Sequence, residues 1–223
     1  MSATRDKILA TSRQLWNERG FADVTVAEIA ARVGISTGNL SYHFPTKREL
    51  VEAVWDEAER RHLDLAITWR PETVLADFPV WIRSLCRVMW EYRFLYRDGV
   101  QLVATAPALL RRGRETVVQV GREQLRACLA TLADGGHLRT DIDELPPVAT
   151  NCWIVLRYWI DFLVEAREVR RIERGHVAEL VAQFAALVHP HLTPAAWRSL
   201  QANLGEADDR SPADASPAAR TQP

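Results

Sequence analysis

Residues 37–43 read Thr-Gly-Asn-Leu-Ser-Tyr-His, and they hold a dense set of hydrogen-bonding side chains on a short segment. Thr37, Gly38, Asn39, Ser41, Tyr42 and His43 are small or polar and rich in donors, around the apolar Leu40. On one short helix such a set can hydrogen-bond along base edges in a major groove. Plainer roles stand beside that one. Thr25, Ser36 and Thr46 are wanted as helix caps whether or not nucleic acid is present. Tyr42 can pack its ring against the first helix, and Gly38 can serve a close backbone approach.

Other chemistries find little support. No Gly-rich phosphate loop, nucleophile elbow or H-E-x-x-H pattern occurs, so no catalytic residue is expected. His189-Pro190-His191 has a proline at a helix end, which favours capping and turn roles over a metal pair; His62, His137 and His176 are dispersed. Cys86, Cys128 and Cys152 are odd in number and far apart, fitting neither a disulfide framework nor a C-x-x-C site. They fall in apolar helical patterns, where an inert thiol is usual. Neither a metal nor a cofactor is expected.

The elements that must position the polar set are helical. Apolar spacing predicts an all-α fold, with helices near 4–19, 26–33, 37–44, 46–68, 73–92, 94–104, 107–133, 146–168, 174–189 and 194–204. Thr25 with Glu28 forms a capping box for the second helix. Gly34 permits a left-handed exit, Ser36 caps the third helix and Pro45 forbids its continuation. Two short helices around Gly34-Ile35-Ser36 have helix-turn-helix spacing, with Ile29, Val33, Ile35 and Leu40 as a shared core and Ala30 small at the crossing. The domains are read as 1–48, 49–204 and a tail over 205–223 whose Ala, Asp, Ser and Pro content predicts disorder.

Composition neither supports nor refutes this. The 223 residues carry 28 Lys+Arg and 29 Asp+Glu, a net charge of −1, with ordinary globular hydrophobicity of 48%. Residues 1–50 hold 7 Lys+Arg and 5 Asp+Glu, a net +2 hidden within that neutrality. The most apolar stretch, 152–164, has Arg157 and Asp161 inside it, too short and too charged for a span of roughly 20 residues. A cytoplasmic protein with no membrane contact is expected.

At residues 19–50 the chain resembles the tetracycline-repressor (TetR) family of bacterial regulators. Thr25-Val-Ala-Glu-Ile-Ala-Ala-Arg-Val-Gly-Ile-Ser-Thr-Gly-Asn-Leu-Ser-Tyr-His-Phe44 is similar to that family's DNA-binding motif, Pro45-Thr-Lys-Arg-Glu-Leu50 to its fourth-helix start, and Arg19-Gly20-Phe21 to its first link. The resemblance covers residues 4 to about 64; Leu187 to Ala195 looks like a common end of members. It implies base-facing roles for Thr37, Gly38, Asn39 and His43, and phosphate-facing roles for Thr25, Ser41, Tyr42 and Lys47. Ser41 departs from a usual tyrosine and Val24 from a frequent threonine.

The same resemblance implies a homodimer on a double-stranded DNA operator, and a small-molecule effector in the larger domain, with transcriptional regulation by repression as the activity. The helix 146–168 is apolar nearly all round and needs neighbours on both sides. A sister subunit supplies one through Trp159, Leu163, Val177, Leu180 and Phe184; a wholly intramolecular core is the alternative. For the effector, Met89, Trp90, Tyr96, Trp153 and Arg157 are the candidates, although aromatic residues there also suit plain core and Arg157 with Asp161 suits a helix ion pair. The competing function is a helical ligand-binding or catalytic protein that uses the helix-turn-helix for protein contacts.

Overall fold

The computed structural model describes residues 3–139 and 145–206. Their regular structure is helical: α1 Ala3–Arg19, α2 Val26–Val33, α3 Thr37–His43, α4 Lys47–Leu63, α5 Val74–Glu91, α6 Phe94–Arg97, α7 Gly99–Thr105, α8 Pro107–Gly113, a π turn Arg114–Val118, α9 Gln119–Asp134, α10 Leu145–Glu165, α11 Arg174–Val188, a 3-10 turn His189–His191 and α12 Pro194–Glu206. An isolated antiparallel bridge joins Leu138 to Leu192. Among the described residues no helix is long and apolar enough to cross a membrane. Most of the tail expected to be disordered, 207–223, lies outside the described residues.

Two compact units divide the chain. The first comprises the described residues of Met1–Arg61 with Met89–Thr116 and Ile160–Ile172. Its centre is made by Ile8, Trp16, Ile29, Leu40, Leu50, Tyr92 and Phe94, all fully buried. Trp16 packs edge-on against Phe21 and tilted against Phe94, with ring centroids 5.2 and 5.1 Å apart. The buried Ser12 satisfies its hydroxyl on the Ile8 carbonyl, 2.8 Å away.

The second unit comprises His62–Val88, Val117–Trp159 and the described residues of Glu173–Pro223. Trp69, Phe78, Trp81 and Phe184 form its aromatic centre, beside Leu125, Leu132, Leu156 and Leu180. Pro79 stands inside α5 and has no N–H for the Leu75 carbonyl. Asn203 Nδ2 donates to that carbonyl instead, at 3.2 Å, so a proline is accommodated in mid-helix. Gly121 lets the Trp153 ring lie against α9: a Cβ there would stand 2.5 Å from the ring.

Three expected helices differ. The run 94–104 breaks at Asp98, whose φ of −101° and ψ of 29° leave the helix while its carboxylate turns to another segment. The run 107–133 contains the π turn; Thr116 within it and Arg112 of α8 both bond Glu59 of α4. The helix starting at 46 ends at Leu63 rather than 68: the chain tightens into turns, with Leu65 N bonded to His62 O and Ala66 N to Leu63 O.

Most residues assigned from sequence to a subunit interface are engaged within the chain itself. Leu163, Leu180 and Phe184 are buried within the single chain and have no surface to give a second copy. Val177 is half-buried against the second unit's core. Trp159 is half-buried too, and its indole N–H donates to His176 O at 2.9 Å, joining α10 to α11 within one chain. The large apolar side chains that α10 does expose are Ile154, Tyr158 and Phe162, four residues apart.

Candidate nucleic-acid interface

α2 begins where the sequence requires it. Thr25 is extended at φ −88° and ψ 158°, and its Oγ1 accepts from Glu28 N at 3.2 Å. Glu28 returns the bond: its carboxylate accepts from Thr25 N and from Thr25 Oγ1, each at 2.8 Å. Arg19 adds an ion pair at 2.8 Å. The Thr25 backbone bond, then the Thr25 hydroxyl and Arg19, hold the Glu28 carboxyl down at about 2. The Thr25 hydroxyl therefore spends its one hydrogen on Glu28, and what it offers a phosphate is limited by that partner.

Gly34 ends α2 in the left-handed region at φ 84° and ψ 34°. Its N–H reaches the Ala30 and Ala31 carbonyls at 3.0 and 3.2 Å, and Ile35 N reaches Ala30 O at 3.0 Å. Lys7 Nζ donates to Val33 O at 2.8 Å, placing a cation at the negative end of the helix. Two residues later Ser36 starts α3 with its Oγ accepting from Asn39 N at 3.1 Å. Ile29, Val33 and Leu40 are buried between the helices, while Ile35 is half-buried.

With Leu40 inward, the rest of α3 faces out. Thr37, Gly38, Asn39, Ser41 and Tyr42 are exposed and His43 is half-buried. Tyr42 is 85% exposed, so its ring does not pack on α1; it meets the His43 ring edge-on, with centroids 5.4 Å apart. Gly38 is helical, and an added Cβ would meet nothing nearer than Ser36 Oγ at 3.9 Å, an ordinary contact. Nothing among the described residues demands a glycine there.

Lys47 is less free than the sequence suggested. Its Nζ donates to Phe21 O at 2.6 Å and lies 4.3 Å from the centre of the Phe21 ring. Burial lowers its pKa, against the opposing effect of Asp23 and Glu28. Two of its three N–H groups remain for other acceptors.

The five residues put forward for an effector divide between the units. Met89, Trp90 and Tyr96 belong to the first, where Met89 is buried and Arg93 lies over the Trp90 ring at 4.8 Å. Trp153 and Arg157 belong to the second, with the Arg157 guanidinium 5.1 Å from the Tyr158 ring centre. A set the sequence did not single out is Asn17, Phe21, Arg97 and Asp98, which are linked by hydrogen bonds in the first unit. Its available signal was a polar residue, Asn17, on the apolar face of α1, and an Arg-Asp pair between hydrophobic runs.

Residues 8–54 match the family model described as bacterial regulatory proteins, tetR family, and residues 60–200 match the one described as bacterial transcriptional repressor, TetR. The chain is 36% identical over 63 residues to the HTH-type transcriptional regulator TtgR of Pseudomonas putida, covering 28% of this chain and 30% of TtgR. It is 40% identical over 52 residues to the HTH-type transcriptional regulator BetI of Escherichia coli, covering 23% and 27%. The matched stretch thus spans less than a third of the length of these relatives. A TetR-family transcriptional regulator from Marinobacter aquaeolei superposes with a TM-score of 0.79 at 29% identity, over 93% of this chain and 99% of that one. CprB of Streptomyces coelicolor, solved in complex with its biological operator sequence, shares the fold at a TM-score of 0.66 and 21% identity, over 93% and 98%. With one family model covering more than half its length, the chain belongs to the TetR family of bacterial transcriptional regulators.

Proposed function

We propose that this regulator is a repressor that binds a palindromic operator as a homodimer and releases it when a small molecule binds outside the helix-turn-helix. The observation that carries the reading is the outward face of α3. Thr37, Gly38, Asn39, Ser41 and Tyr42 are exposed, and the glycine at 38 has no steric reason among the described residues. A helix capped at both ends and bared of apolar side chains on its outer face suits insertion into a major groove.

The dimer reading moves from its original residues to the exposed faces of α10 and α11. Ile154 and Tyr158 project from α10, with Phe162 one turn further on the same helix. The exposed positions of α11 include the small Gly175, Ala178, Ala182 and Ala186. Large side chains beside a flat strip of small ones form a self-complementary surface, as a two-fold interface requires. Two copies would carry two reading helices about 34–36 Å apart, matched to inverted half-sites.

Release by an effector requires different affinities for the DNA-competent and the released arrangement, not tight binding alone. α4 carries Lys47 at its start and the Glu59 contact with Arg112 near its end, so a shift along it alters the reading head. Titrating the protein onto DNA upstream of its own gene tests the core of the proposal. A sequence-preferring complex that weakens steeply with salt is expected. Absence of such a complex at every ionic strength contradicts it.

A further inference from the structure

Phe21 stands in the link between α1 and α2, and charged side chains hold both of its backbone groups. Its N–H donates to Asp98 Oδ2 at 2.7 Å, and its carbonyl accepts from Lys47 Nζ at 2.6 Å. Asp98 is 9% exposed. Arg97 grips the same carboxylate with two bonds, Nε to Oδ1 at 2.7 Å and Nη2 to Oδ2 at 2.9 Å. The guanidinium then reaches the last carbonyls of α1, Trp16 O at 2.7 Å and Asn17 O at 3.2 Å. Asn17 ties the other way: its Nδ2 donates to Glu91 O at 2.7 Å and its Oδ1 accepts from Phe94 N at 3.1 Å. Gly20, at φ 105°, lets the link turn beside this pair; an added Cβ would lie 3.9 Å from Arg97 Nη2 and 4.0 Å from Asp98 Oδ2.

These bonds have more order than packing alone requires. A carboxylate held by a guanidinium fork and a backbone N–H is a strong, directional acceptor. A cation on terminal helix carbonyls offsets their partial negative charge. Residues 91–98 thereby fix the end of α1 and the entry to α2. α2 and α3 share the core of Ile29, Val33 and Leu40, so they move together. Recognition groups must be held to roughly 0.5 Å and 10–20° to act.

We propose that Arg97 and Asp98 are positioning residues for operator binding: they set the attitude of α2 and α3 from a buried site that touches no DNA. The inference rests on the operator-binding proposal above. It goes beyond that proposal by placing a determinant of affinity within residues 60–200, outside the 8–54 helix-turn-helix match.

The test uses the full chain and a duplex enriched from a random library by the wild-type protein, with folding checked by circular dichroism. Asp98→Ala is expected to weaken specific binding at least tenfold, to leave the slope of affinity against salt unchanged, and to speed hydrogen exchange at the Phe21 amide. An unchanged slope follows because the substitution removes no cation that neutralises a phosphate. Lys47→Ala, on the carbonyl side of the same residue, should lower the slope as well. Asp98→Asn keeps an acceptor for Phe21 N–H and should fall between wild type and Asp98→Ala; Arg97→Lys, which loses the fork, should behave like Asp98→Asn. A folded Asp98→Ala protein with wild-type affinity overturns the proposal, as does a loss accompanied by a lower salt slope. If Asp98→Ala does not fold, wild-type affinity in both Asp98→Asn and Arg97→Lys overturns it. A wild-type chain that enriches no sequence refutes operator binding instead, before any variant is made.

Discussion

At the scale of single residues, several roles follow from geometry sharp enough to test. Gly34 has φ 84° and nothing within 4 Å of an added Cβ, so Gly34→Ala meets strain without clash. It should cost about 1 kcal/mol in denaturant unfolding. Glu28 contributes through a folded pKa lowered from 4.5 to about 2, so its stabilisation is present above 4.5 and disappears as pH falls through about 2. The stability difference between wild type and Glu28→Gln should therefore shrink across that interval in acid titrations. Burial pushes the Cys86 and Cys152 thiols up to about 12, and raises Cys128 as well. At neutral pH a thiol reagent should modify them only as fast as the second unit opens, and mild oxidant should leave DNA affinity unchanged; prompt modification of the folded protein would refute this. Residue types alone could suggest the outward set on α3, because only Leu40 there is apolar. They could not reveal that Lys47 is already engaged, because the Phe21 carbonyl reaches it only once the link between α1 and α2 has packed against α4.

At the scale of elements, what was legible was what local chemistry decides. Thr25 with Glu28, Gly34 and Ser36 punctuate α2 and α3 at the positions their types prescribe, because caps act within one turn. The break at Asp98 and the π turn at 114–118 were not legible. Both are set by partners far along the chain, Phe21 for Asp98 and Glu59 for Thr116. The faces of α10 were equally hidden. A helix apolar nearly all round gives no period from which to choose between its own core and a second copy. Within the single chain Leu163, Leu180 and Phe184 are buried, whereas Ile154, Tyr158 and Phe162 are exposed. Tyr158→Asp should give folded monomers in sedimentation. An intact dimer would remove this face from the interface. Trp159→Asp is the poorer experiment, since it breaks the internal bond to His176.

For the whole molecule, a net charge of −1 conceals a reading head of +2, and two copies would present +4 to DNA. That charge is small, so sequence preference has to come from contacts with base edges rather than from the electrostatic field. Thr37→Ala and Asn39→Ala should each relax preference at particular base pairs, by about 1–3 kcal/mol of discrimination where a bidentate contact is lost. Equal weakening on every sequence would reassign them to phosphate. The most direct measurement of the central claim is selection of duplexes from a random library by the full chain, followed by sequencing of the enriched pool. An inverted repeat is predicted, with half-site centres about one helical turn apart. A pool with no enriched sequence, or with a single unrepeated half-site, would contradict a dimer that reads DNA through α3.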